Sequence, residues 1–395
     1  MTPRSVGLLL NFGHAIDHMF LLVFATAVTA IAADFGFARW EDLMPYSVTV
    51  FLFFGIGSVP AGRLGDHWGR RPMMIVFFFG MGAASFLVSA ATSPTMMAVA
   101  LAVLGTFASI YHPVGIPMLV QGALRPGWAI GVNGLVGNLG VAAAAVATGF
   151  LVKYFGWRMA FVVPGIVSMV CGVLFAMYAS KEVAAPAKKR TASAAPPVGA
   201  IARLLLIMTL AATTSSLLFN FSTTSNYEML ADRFQAITTD PAQIGMMLGM
   251  VYAVASLTQL VVGNLIDKHS LRTLYMSVIA LQVIVLMLAA TMHGWMFYAL
   301  QLLIMVTIFG AVPFTDAMMV RFVDDSMRSR VSGVRLAVSL AASSLAVWLV
   351  GPLVKQAGFS FLLWVMAGIS VVTLLIVSRL PGPGHQLGGG IGSRA

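Results

Sequence analysis

Twelve runs of apolar residues dominate this chain, each close to the ~20 residues a helix needs to cross the hydrocarbon core of a bilayer. They lie near 6–33, 44–63, 73–92, 95–121, 129–152, 159–180, 203–226, 243–265, 273–292, 295–320, 331–353 and 359–379. In hydrocarbon every backbone N–H and C=O must find its partner within the segment, so runs of this length are expected to be helices. An all-α integral membrane protein with twelve transmembrane helices follows. Composition agrees, because 9% of the residues are charged where soluble chains carry about 25%. The first run lacks the short apolar core and small-residue cleavage site of a secretory signal and is expected to stay in the mature protein. One cysteine, Cys171, excludes an internal disulfide and a cysteine-cluster metal site.

Lysine and arginine set the expected orientation. With a cytoplasmic N-terminus, 18 of them fall on the inner side and five on the outer side, namely Arg39, Lys153, Arg158, Arg233 and Lys355. That is the positive-inside bias, and it puts both termini in the cytoplasm. The net charge of +10 then reflects basic cytoplasmic loops and does not point to nucleic acid. The Ala/Pro/Ser-rich, basic stretch 181–202 separates an N-terminal bundle of six helices (1–180) from a C-terminal one (203–380). The glycine-rich tail 381–395 is expected to be disordered.

The two halves repeat. "GRLGDHWGRRPM" (62–73) returns as "GNLIDKHSLRTL" (263–274), with Gly62, Leu64, Asp66 and Arg71 matched by Gly263, Leu265, Asp267 and Arg272. "LVKYFG" (151–156) returns as "LVKQAG" (353–358), and the His-Pro at 112–113 aligns with Val-Pro at 312–313. A parallel duplication of this kind places a site between the halves near mid-membrane.

"GRLGDHWGRR" resembles the signature loop between the second and third helices of the major facilitator superfamily, and the degenerate second copy sits where that family has one. The resemblance covers essentially the whole chain, including "GWR" at 156–158. "SIYHP" (109–113) and "VGNLG" (136–140) are similar to the fosmidomycin-resistance-like branch. The chain departs from proton antiporters in its fifth run, where "VAAAAVATG" replaces the common Gly-Pro. The resemblance implies a gate on the cytoplasmic side built from Gly62, Asp66, Arg70, Arg71, Asp267, Arg330 and Arg335. There Asp66 would accept from Arg70 and from the start of the eleventh helix, holding that side closed until the halves rock. A permanent clamp of the fold is the alternative.

The first run carries "NFGHAIDHMF" (11–20). Asn11, His14 and His18 follow an i, i+3, i+7 pattern with Asp17 beside them, so on a helix the four share one side. An ionisable residue inside a span marks a pathway or proton relay by default. At ~1.5 Å per residue, His14 and His112 lie at a similar depth, and in the resembled fold both helices line the central cavity. Histidine titrates near neutral pH, so His14, Asp17, His18 and His112, with Asn11 on the same stripe, are the expected substrate- and proton-binding groups. Asp316 is the corresponding anomaly of the second half, either a cavity-facing proton acceptor or a partner of Arg321 or Arg335. Asn133, Asn138 and Gln259 read as helix–helix glue, and Asn220, Asn226 and Tyr227 as lining of the second half.

No nucleotide-binding loop and no HExxH motif occurs, so the chain reads as a non-enzyme without cofactor, driven by a gradient. The expected function is a monomeric, proton-coupled secondary transporter of a small organic solute, working by alternating access in a cytoplasmic (inner) membrane among lipid. Two other readings remain. One is a transition-metal or metal-chelate carrier using these His and Asp groups, with thioethers such as Met246 and Met250 suited to Cu(I). The other is a non-transporting receptor on the same scaffold.

Overall fold

The computed structural model describes residues 3–121, 126–179, 198–322 and 325–380; at 267, 316, 320–322 and 325–337, among others, the backbone alone is described. It is all-helical: α1 (Pro3–Asp34), α2 (Val48–Trp68), α3 (Arg70–Ser89), α4 (Pro94–Ala108), α5 (Ile116–Val120), α6 (Pro126–Phe155), α7 (Met159–Tyr178), α8 (Val198–Phe234), α9 (Pro241–Lys268), α10 (Leu271–Ala289), α11 (Gly294–Phe322) and α12 (Asp325–Val377). Among the described residues, eleven segments are long and apolar enough to span a membrane, with α4 and α5 forming one of them. The last of the eleven holds two of the twelve expected crossings. α12 has 53 residues, about 80 Å of helix against a core of about 30 Å, and it turns back at Gly358, whose φ is 75°.

Local chemistry places the ends. Ser93 and Asp240 each accept a backbone N–H at the start of α4 and α9, and a proline follows each at the first helical position, where its missing N–H costs nothing. Ser270 caps α10 in the same way. Between α4 and α5 the helix opens into a π turn, Tyr111–Gly115. Pro113 lies in that turn, and a proline inside a helix removes a backbone donor and crowds the preceding turn.

Counting crossings puts residues 34–47, 155–158, 235–240 and 355–358 on the membrane face opposite the chain's start, here the far face. Val163, Ile166, Val167 and Val170 on α7 are exposed at helical spacing, the stripe that lipid would cover. Inside, one apolar core fills the first half around Phe77, Phe78, Tyr111 and Phe161. A second, around Tyr252, Phe297 and Phe309, lies mainly in the second half and takes in Leu22 and Val141 of the first, and a third lies around Tyr275 and Phe314. Met19 packs against a core of each half.

Between the halves, α6 runs against α9. Near the far face the two backbones nearly touch: a Cβ on Gly149 would lie 2.5 Å from the Pro241 carbonyl oxygen, and one on Gly245 would lie 2.4 Å from that of Ala145. Toward the other face a Cβ on Gly134 would meet only Gln259 Oε1, at 3.3 Å, and one on Gly131 or Gly263 would meet nothing within 4 Å. The close backbone approach thus lies at the far-face end of the pair.

Candidate functional site

The stripe seen in α1 converges with the π turn. The His14 and His18 ring centroids are 4.4 Å apart, those of His14 and His112 5.1 Å, and those of His18 and His112 5.9 Å. Tyr111 stacks on His14 at 4.8 Å, with 8° between the ring planes. Asp17 is wholly buried, and its Oδ2 lies 3.7 Å from His112 Nε2. Neither carboxylate oxygen of Asp17 has a hydrogen-bond partner, and neither does His14 Nε2. His18 and His112 are half-buried, and they carry the exposed part of the cluster.

α6 contributes the group that orients it. His14 Nδ1 lies 2.8 Å from the Asn133 carbonyl oxygen; a carbonyl only accepts, so this nitrogen carries the proton. The Asn133 amide donates to Asn11 Oδ1 and to Tyr111 Oη, each at 2.8 Å. Tyr111 in turn donates to the Leu10 carbonyl at 2.7 Å. Asn11 thus helps to hold Asn133 in place, through its side-chain oxygen. Gly137 makes room for the imidazole, since a Cβ there would lie 2.6–3.0 Å from three His14 ring atoms. The sequence reading weighed Asn133 only as helix–helix glue and missed Tyr111 altogether. The tyrosine beside His112 in "SIYHP" was the available signal.

The expected gate residues fall into two groups. Arg71 is bound inside the first half, where Nε donates to the Ala179 carbonyl at 2.7 Å and Nη2 to that of Ala176 at 2.6 Å. It caps the end of α7. Arg70 donates to Gln121 Oε1 at 2.9 Å and to the Pro117 carbonyl at 3.3 Å. Gly62 and Gly65 let α2 approach the π turn, a Cβ on Gly65 falling 2.9 Å from Val114. Asp66 is exposed at the end of α2. The side chains of Asp267, Asp316, Arg330 and Arg335 lie outside the described residues.

Contacts between the halves gather at the far face, where the sequence marks cations but no gate. Thr29 Oγ1 donates to Glu228 Oε1 at 2.7 Å across the halves. Lys153 pairs with Asp240, and Lys355 with Asp42. The Lys153 ammonium holds the Asp240 carboxyl below the usual carboxylate range, helped by backbone N–H donors at the start of α9. Trp40 stacks on Phe359, centroids 6.1 Å apart. The five cations counted on this side are all engaged: Arg39 with Glu41, Arg158 with Asp34 at 3.0 Å, Arg233 with His293 and Ser360, and the two lysines as above. At the same face lies a partly open pocket of about 560 Å³ between the halves, bordered by Thr29, Glu41, Glu228, Arg233 and Ser360. In the second half, Asn226 donates to Tyr252 Oη and Asn220 to Ser343 Oγ. Those asparagines are internal ties. Met246 and Met250 are exposed on α9.

Two pseudo-repeated helical halves, spanning a membrane and tied to each other at one face, define a multi-pass membrane transporter of the alternating-access class. The profile described as Major Facilitator Superfamily matches residues 9–236 and 204–391, and the chain belongs to that family. Among curated relatives it is 32% identical over 136 residues to the puromycin resistance protein pur8 of Streptomyces alboniger, covering 33% of this chain and 27% of that protein. It is 29% identical over 150 residues to the cis,cis-muconate transport protein of Acinetobacter baylyi, covering 36% and 35%. To the multidrug resistance protein MdtG of Citrobacter koseri it is 24% identical over 252 residues, covering 62% and 61%. The matched stretch thus spans between about a quarter and three fifths of these relatives. In fold the chain is similar to the inward-open xylose transporter XylE of E. coli, with a TM-score of 0.79 at 12% identity over 98% of each chain. It is likewise similar to a bacterial homologue of the lysosomal transporter Spinster, with a TM-score of 0.78 at 13% identity over 95% and 97%.

Proposed function

We propose that this chain is a proton-coupled secondary transporter of a small organic solute, set in a bacterial-type inner membrane with both termini in the cytoplasm. The observation that carries the proposal is the buried pair Asp17 and His14, grouped with the half-buried His18 and His112 inside the membrane-spanning part of one half. Such groups are expensive in a bilayer and are kept where protons or ions pass. The relatives named for puromycin resistance and cis,cis-muconate transport handle organic molecules, which supports the solute class. The "SIYHP" and "VGNLG" stretches keep the fosmidomycin-resistance-like branch as the finer placement.

With the termini inside, the structure is inward-facing: solute and protons reach the cluster from the cytoplasm while the far-face contacts are closed. Rocking of the halves would break those contacts and bring Asp66, Arg70, Asp267, Arg330 and Arg335 together as the opposite gate. Asp316 would serve as a second proton acceptor.

The test is uptake in proteoliposomes, using organic acids and antibiotics that first shift the melting temperature of the purified protein. A pH gradient should drive accumulation. Asp17→Asn should abolish gradient-driven accumulation while leaving solute exchange down its own gradient. Accumulation indifferent to the pH gradient would reject proton coupling.

A further inference from the structure

We infer that His14, His18 and His112, with the Asp17 carboxyl beside them to balance charge, form a binding site for a first-row divalent cation of the zinc type. The inference rests on the proposed reading that this cluster is reached from the central opening, and it names a ligand for it. One donor atom from each of the three imidazoles lies within 4.8 Å of the other two. A zinc ion bound at about 2.0–2.1 Å holds its nitrogens roughly 3.4 Å apart in a tetrahedron. Ring rotations that move the nitrogens by about an ångström would therefore close the cage.

His14 is already set as a ligand. Its Nδ1–H is committed to the Asn133 carbonyl at 2.8 Å, which leaves the lone pair on Nε2, a buried atom without a partner. Commitment of the second ring nitrogen to a carbonyl is how metal-binding histidines are oriented. That carbonyl belongs to a residue held in turn by Asn11 and Tyr111. Asp17 adds the charge. Its carboxylate is out of water with both oxygens unpartnered, and 3.7 Å from His112 Nε2 is too far for a hydrogen bond. A buried, unpaired carboxylate is costly, and a cation among three imidazoles would satisfy it and His14 together. Three imidazole nitrogens, with a fourth position open to water, suit Zn²⁺, Co²⁺ or Ni²⁺ better than Cu(I), which prefers sulfur, or Ca²⁺, which prefers oxygen. Glu228, the next acidic group on this path, meets Thr29, eleven residues or about 16 Å further along α1, and takes no part.

The experiment uses the full chain, purified without a histidine tag and stripped with chelator, then titrated with Zn²⁺ and with Co²⁺ at pH 8 by calorimetry. One ion should bind per chain. His18→Gln and His112→Gln should each weaken binding at least tenfold, while the double change His67→Gln and His269→Gln, at exposed surface histidines, should leave it unchanged. Bound Co²⁺ should show the intense visible absorption of a four-coordinate site, and X-ray absorption should count imidazole nitrogens. Both are read on the wild-type protein, so a variant that fails to fold does not shelter the inference. Absence of binding, or binding indifferent to His18 and His112, overturns it. A metal-silent protein with gradient-driven transport rejects this inference alone, and metal binding without gradient-driven transport rejects the proton reading alone.

Discussion

Gly149→Ala should drive the transporter toward a state open at the far face. The new Cβ would lie 2.5 Å from the Pro241 carbonyl oxygen and 3.1 Å from Gly245 Cα. A carbon rests against such an oxygen at about 3.3 Å or more, so the shortfall is roughly 0.8 Å. Both obstacles are backbone, and no side chain can swing aside. Relief therefore requires α6 and α9 to separate at the end where they now meet. Overpacking of this kind costs about 1–3 kcal/mol, and here the cost falls only on the state closed at the far face. At 1.4 kcal/mol per tenfold, the ratio of far-face-open to far-face-closed molecules should rise about 5- to 150-fold. Spin labels on cysteines introduced at the far ends of α6 and α9, in a Cys171→Ser background, would report it as a longer distance population. An unchanged distance distribution in a folded, active variant would refute the claim that this contact is the closed gate.

Other outcomes follow from the same geometry. Glu228→Ala should favour far-face opening by about 1–3 kcal/mol through loss of the Thr29 bond, and Glu228→Gln, which keeps an acceptor, should stay near wild type in the same distance measurement. The Asp240 carboxyl is held below its usual range, so what it contributes to closure is present above the ordinary carboxylate range and is lost only as pH falls through the lowered value. Asp240→Asn should therefore loosen the far face equally at about pH 5.5 and pH 7.5; a pH-dependent difference would contradict this. Arg71→Ala should lower the melting temperature by removing two charge-assisted bonds, about 1–3 kcal/mol together after allowing for partial exposure, without altering the balance of open states. Gly137→Ala should displace the His14 ring and shift the pH profile of transport, and an unmoved profile would remove His14 from the pathway.

Much of the fold could be read from hydropathy because lipid leaves a long apolar run no other structure. The readings that missed did so where polar groups are satisfied internally. The seventh run was ended at 226, yet α8 continues to Phe234, since Asn226 reaches Tyr252 and Glu228 reaches Thr29. The i, i+3, i+7 stripe gave the α1 side of the cluster. It could not give the Asn133 carbonyl, because a backbone acceptor leaves no mark in a side-chain pattern. The far-face pairs were equally hidden: Lys153 and Asp240 are 87 residues apart, and Lys355 and Asp42 are 313. No local period links such partners, and only the packed halves bring them together.

From His14 to Asp34, α1 contains neither glycine nor proline, the residues at which helices bend. This stretch carries the histidine cluster near one end and Thr29, the donor to Glu228, near the other. It is a stiff strut. Over a span of about 16 Å, a displacement of 1 Å of the helix backbone at the level of the imidazoles tilts it by roughly 4°, and the hydroxyl at its far end must follow or break its bond. Occupancy in mid-membrane and the seal at the surface are thus the two ends of one lever, and neither can move without loading the other.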